Sequence, residues 1–120
     1  MRRVNITLYG PETEKYELAN ELSALPDCCY RNICIKGFSD YDSFISNLGE
    51  GPPELVLVTA DGAAGMEGVI AAKSLLKNVP VVWFSNDSGF GAQSYRLGCA
   101  YFHPKPVSAE ILSAAIAKCV

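Results

Sequence analysis

Short apolar, β-rich runs alternate with stretches of helical periodicity along the whole chain, with no internal repeat and no low-complexity linker. The run Val4 to Tyr9 reads as a first strand. Gly10-Pro11 breaks it and opens a helix, with Glu12 and Glu14 in the first turn, where carboxylates favour a helix start, and with Leu18, Leu22 and Leu25 as its apolar stripe. Asn32 to Phe38 reads as a second strand. The Ser39 to Asp42 spacing resembles a helix-start signal, and Tyr41, Phe44, Ile45 and Leu48 then recur at helical spacing until Gly49 to Pro53 stops the helix.

Leu55-Val56-Leu57-Val58 is a continuous apolar run, the pattern of a central strand buried on both faces. A third helix is predicted from about Met66 to Lys77, with Val69, Ala72 and Leu76 on one side, followed by a strand at Val81 to Phe84. The two glycines between Asn86 and Gly91 delay the fourth helix to about Ala92, and Gly98 suits its end. Ala100 to His103 makes a fifth strand. Ser108 starts a last helix that turns Ile111, Leu112, Ala115, Ile116 and Cys119 inward.

Five strands each followed by a helix predict an α/β fold, a flavodoxin-like three-layer sandwich with a five-stranded parallel sheet in the order 2-1-3-4-5. At 120 residues this is one domain spanning 1–120. In such sheets ligands bind beyond the carboxyl ends of the strands. The loops to inspect are therefore Gly10 to Glu12, Thr59 to Gly65, Ser85 to Asp87 and His103 to Pro106.

Composition narrows the function classes. A net charge of -3 without a Lys/Arg cluster argues against direct nucleic-acid binding, and no apolar run approaches the roughly 20 residues that span a bilayer. The apolar stretch after Met1-Arg2-Arg3 is cut by Asn5, Thr7 and Gly10-Pro11, so it does not read as a secretory signal, and a cytoplasmic protein is expected. Cys28, Cys29, Cys34, Cys99 and Cys119 form neither a C-x-x-C pair nor a zinc pattern, and are read as reduced, small hydrophobes. No hydrolase triad, P-loop or G-x-G-x-x-G is present, and His103, the one histidine, is read as a strand terminus rather than a catalytic base. The chain is not expected to be an enzyme.

Pro53 to Val58, Gly65-Met66-Glu67-Gly68, Pro80 to Ser85 and, above all, Gly98 to Pro106 with its Lys105-Pro106 dipeptide at a strand end resemble a response-regulator receiver domain of two-component signalling. Arg96-Leu97-Gly98 is also similar to receivers that precede LytTR-type DNA-binding domains. The resemblance implies that Lys105 is a cation beside a phosphorylated aspartate, that Ser85 hydrogen-bonds the phosphoryl group, and that Phe102 turns inward when that bond forms. Pro106 completes the frame. It also implies a contact face of helix 4, strand 5 and helix 5, with Gln93, Arg96, Tyr101, Glu110 and Ser113 as candidates for a homodimer or a protein partner, among them a sensor kinase or an output domain.

The acidic half of the family's site departs from the pattern. Mg²⁺ takes oxygen ligands, and the carboxylate pair that should follow the first strand reads Gly10 and Pro11, leaving Glu12. The phosphoacceptor position falls on Thr59 or Ala60, depending on the direction of counting, and Asp61 could serve as a displaced acceptor. Negative charge is therefore expected to be absent around Lys105, and neither a metal nor another cofactor is expected. The leading expectation is a pseudo-receiver that acts by protein contact. The alternatives are a divergent phospho-receiver using Asp61 and a small flavin- or nucleotide-binding protein of the same topology.

Overall fold

A computed structural model describes residues 4–23 and 33–119. The sheet contains β1 (Val4–Tyr9), β2 (Ile33–Phe38), β3 (Leu55–Val58), β4 (Val81–Ser85) and β5 (Tyr101–Pro104), all parallel, in the order β2-β1-β3-β4-β5. The helices are α1 (Glu12–Ser23), α2 (Tyr41–Glu50), α3 (Gly62–Leu75), α4 (Gly91–Leu97) and α5 (Ala109–Cys119). The predicted architecture holds. No helix among the described residues is long and apolar enough to cross a membrane.

The period-2 geometry of the strands sorts the core into two layers. Val4, Ile6, Leu8, Leu55, Leu57, Val82 and Phe84 face α1 and α5, where they meet Leu18, Leu112, Ala115 and Ile116. Tyr9, Val56, Val58, Val81 and Trp83 face the other way, onto Phe44 and Leu48 of α2 and Val69 and Ala72 of α3. Each large side chain so buried contributes about 1.5–3 kcal/mol relative to exposure. Of the predicted inward residues of α5, Ile111 and Cys119 are half-buried. The Leu22 side chain, Leu25, Cys28, Cys29 and Asn32 lie outside the described residues.

Several boundaries differ from expectation. Helix α2 is capped by Asp40 rather than Ser39: its Oδ2 accepts from the Ser43 amide at 3.0 Å, the reach an N-cap carboxylate needs. Helix α3 starts at Gly62, four residues before the predicted Met66. Gly62-Ala63-Ala64-Gly65 carries no apolar stripe to betray a helix, yet Gly65 lets the first turn lie directly on the end of β3, because a Cβ there would sit 2.1 Å from the Ala60 carbonyl oxygen. A short 3-10 turn, Ser88–Phe90, precedes α4, and β5 is shifted one residue onward to Tyr101–Pro104. Gly98 ends α4 at φ 76°, the left-handed cap predicted for it.

Candidate functional site at the carboxyl rim of the sheet

Three chain segments meet beyond the ends of β1, β3 and β5. At β3 the ladder stops because the amides of Thr59 and Ala60 both donate to the Tyr9 carbonyl, at 2.8 and 3.2 Å. At β5 the Lys105 amide donates to the Ser85 carbonyl at 2.8 Å, which fixes the main chain from which the Lys105 side chain reaches back across the sheet. Its ammonium donates to the Thr59 carbonyl at 2.6 Å and pairs with Glu14 Oε1 at 2.5 Å and Asp61 Oδ1 at 3.0 Å. The lysine side chain is 16% exposed.

This arrangement overturns the expectation that negative charge is absent around Lys105. Asp61 lies near enough to pair with the lysine although it sits two residues past the buried Thr59. Glu14 was passed over because its place in the first turn of α1 reads as an ordinary helix-dipole partner. The usable signal was the one-turn position: an acid just inside the helix that follows the first strand faces the same rim as the β5 lysine.

Asp61 occupies the N-cap position of α3, but its side chain makes no capping bond there. Oδ1 instead accepts from the Asn86 amide at 3.1 Å while it pairs with Lys105, tying the β4–α4 connection to the lysine. Asn86 was not foreseen as a contributor because the bond uses its backbone. Ser85, fully buried, turns its hydroxyl to the same connection: Oγ accepts from the Asp87 amide at 3.2 Å, and Asp87 Oδ1 accepts from the Gly89 amide at 2.8 Å. Ser85 and Lys105 thus share a rim, with the Ser85 hydroxyl engaged in its own loop.

Phe102 is half-buried and meets Trp83 edge-on, with ring centroids 5.5 Å apart, while Trp83 stacks on Phe90 at 5.1 Å. Such contacts add about 0.5–1.5 kcal/mol beyond burial and hold the ring against the α4 side of the sheet. Pro106, joined to Lys105 by a cis peptide bond, lines with Val107, Leu18 and Phe84 a cleft of about 650 Å³ beside Glu14 and Lys105. His103 is half-buried, and its Nδ1 donates to the Pro104 carbonyl at 2.6 Å, consistent with a strand-end role. Glu12 is exposed and lines a separate cavity with Lys15, Gly37 and Phe38, away from the lysine.

The family likeness implies a divalent-ion site at this rim, built on acids directly after β1. A Cβ on Gly10 would lie 1.9 Å from Thr59 Oγ1, so a carboxylate cannot be placed there against the present packing. The next residue is Pro11, and the two acids that do converge already hold the ammonium. Among the described residues, no group of three or more His, Cys, Asp or Glu is disposed to hold a metal ion.

Of the five candidate contact residues, Arg96 and Glu110 are exposed and Gln93, Tyr101 and Ser113 are half-buried. Tyr101 lies 5.7 Å beneath the Lys118 ammonium. Tyr95, 88% exposed on the same helix as Arg96, was not singled out because it fits no apolar stripe.

No family model matches the chain, and no curated protein matches it. Solved structures do. The chain is similar to NtrX of Brucella abortus (21% identity, TM-score 0.78, 98% of this chain and 26% of that one) and to the chemotaxis response regulator CheY4 of Vibrio cholerae (11% identity, TM-score 0.79, 99% and 100%). It is also similar to the pilus assembly protein CpaE2 of Sinorhizobium meliloti (19% identity, TM-score 0.73, 98% and 100%). The chain thus spans about a quarter of NtrX and the full length of the other two. The fold is that of response-regulator receiver domains.

Proposed function

We propose that this domain is a receiver-type signalling module that works by protein contact and is not switched by aspartyl phosphate. One observation carries the reading: the residue that follows β3 is Thr59, 1% exposed, with its Oγ1 standing where a Cβ on Gly10 would fall. The carboxylates of Glu14 and Asp61 at the Lys105 ammonium count against it, because an inactive module was expected to lack negative charge there. An acyl phosphate forms by attack of a carboxylate, and preorganised sites of this kind work within about half an ångström. A buried threonine hydroxyl offers no such group. The module is not an enzyme in this reading. Its partners would be another protein or a second copy, through α4, β5 and α5, where Arg96, Glu110 and the protruding Tyr95 supply exposed contacts. Arg96→Glu is expected to weaken self-association or partner capture without changing the melting temperature. A concentration-independent monomer that captures no partner would count against it.

A second reading keeps Asp61 as a displaced phosphoacceptor. Its carboxylate is 40% exposed and stands 3.0 Å from the Lys105 ammonium, as an acceptor would. Incubation with Mg²⁺ and acetyl phosphate separates the two. An unchanged intact mass supports the contact module, and a phosphoryl increment lost in Asp61→Asn supports the acceptor. Nothing in the site favours a flavin or nucleotide: Pro11 offers no N–H at the start of α1, and Glu12 would repel a phosphate there.

A further inference from the structure

We infer that the cavity beneath the C-terminal end of α2 is a binding site for a small zwitterion, an α-amino acid, held between Lys36 and Glu50. Strand β1 lies inside the sheet, between β2 and β3, so both of its faces should be covered and apolar, as they are in β3 and β4. One face obeys: Val4, Ile6 and Leu8 are buried in the layer of α1 and α5. The other carries Asn5 and Thr7, whose partners on β2 are Cys34 and Lys36. Asn5 is exposed although its strand is internal, while Thr7 is 3% exposed. The helix layer thus leaves an opening of about 360 Å³ here, lined by these four residues together with Asn47 and Glu50 of α2. That volume falls at the lower end of the range of small-molecule sites.

The lining supplies charges of both signs with hydrogen-bonding groups between them. Lys36 and Glu50 are exposed, and neither forms an ion pair among the described residues, so the two are not joined across the opening. The Thr7 hydroxyl donates to Asn47 Oδ1 at 3.4 Å, which leaves the Asn47 N–H groups and the Asn5 side-chain amide without a partner among the described residues. Glu50 also stands in the last turn of α2, where no basic residue offsets the negative end of the helix dipole. A carboxylate at that end is unfavourable until a cation joins it. An α-amino acid answers each of these features: its ammonium donates to Glu50 at the negative helix end, and its carboxylate accepts from Lys36 and from the asparagine N–H groups. The site lies on the face of the sheet opposite the cleft of Lys105 and Pro106, and it stands whether or not the domain signals by contact.

Isothermal titration calorimetry of the protein with the common L-amino acids, each tried singly, is expected to give saturable binding at a single site for at least one of them. Iodoacetamide then locates it. Alkylation of Cys34, read by peptide mass, should slow as that amino acid saturates, while Cys119 on α5 keeps its rate. The matching amine without the carboxylate and the matching hydroxy acid without the ammonium should each bind about tenfold or more weakly, because each lacks one set of charge-assisted hydrogen bonds. Lys36→Met and Glu50→Gln should weaken the parent amino acid by a similar factor and leave the melting temperature unchanged, since both side chains are exposed and unpaired among the described residues. Where Cys34 is inert in the free protein, the side-chain N–H resonances of Asn5 and Asn47 report the same occupancy. Binding of none of the amino acids would overturn the inference, as would an amine or hydroxy acid as tight as its parent, or an affinity that either variant leaves unchanged.

Discussion

The middle of the sheet and its carboxyl rim lie two residues apart and obey different rules. Every residue of β3 and β4 is buried, and their side chains pack by hydrophobic contact with whatever alternates onto each face. At the strand ends, Thr59 just past β3 and Ser85 as the last residue of β4 are still buried but polar; one or two residues more, and Asn86 and Asp61 are exposed and paired. Interior positions depend on periodicity, which any short stretch of sequence displays. Rim positions depend on where separate loops come together, so their chemistry belongs to the convergence of segments rather than to any one of them.

The largest effect is expected from breaking the interior. Trp83→Ala removes the ring that Phe90 and Phe102 pack against, and should lower the unfolding free energy by about 3–5 kcal/mol in a denaturant titration. Next comes the seam between the regions. Gly10→Ala should cost about 1–3 kcal/mol, because its Cβ meets Thr59 Oγ1, and Thr59→Ala in the same chain should recover part of the loss as a favourable coupling in a double-mutant cycle. Full additivity would show that the two residues do not share that space.

At the rim proper, Glu14→Gln should cost about 1–2 kcal/mol, part of the roughly 1.5–3 kcal/mol that a hydrogen bond to a charged group is worth, since the amide oxygen can still accept from the ammonium. Cys99 sharpens the contrast through pH. Burial, opposed in part by Lys73, pushes its thiol from 9.0 up to about 11, so the native state holds a proton that the unfolded chain releases. Its contribution to stability is therefore complete below pH 9 and is lost as pH rises towards 11, which urea titrations between those values would register and Cys99→Ala would abolish. The smallest change belongs to Tyr95→Ser, expected within about 0.5 kcal/mol of wild type.

The same contrast explains what could be read from the sequence. Leu55 to Val58, Val81 to Phe84 and the inward residues of α5 are legible because burial imposes their pattern, and strand order then follows from handedness and connection length. The start of α3 was not legible, since Gly62 and Gly65 look like loop residues until the close approach to Ala60 is known. Lys105, Ser85 and Phe102 were found through a family likeness and do gather at or beside the rim. The roles of Glu14 and of the Asn86 amide were missed: the first reads as a helix-start acid, and the second carries no side-chain signal at all.

The interlock of Gly10 with Thr59 has a consequence for redesign. Placing a carboxylate directly after β1 takes two changes rather than one: a side chain at Gly10 alone meets Thr59 Oγ1 at 1.9 Å, and shortening Thr59 alone supplies no acid. The packing makes the two positions one unit, to be altered together or left as they are.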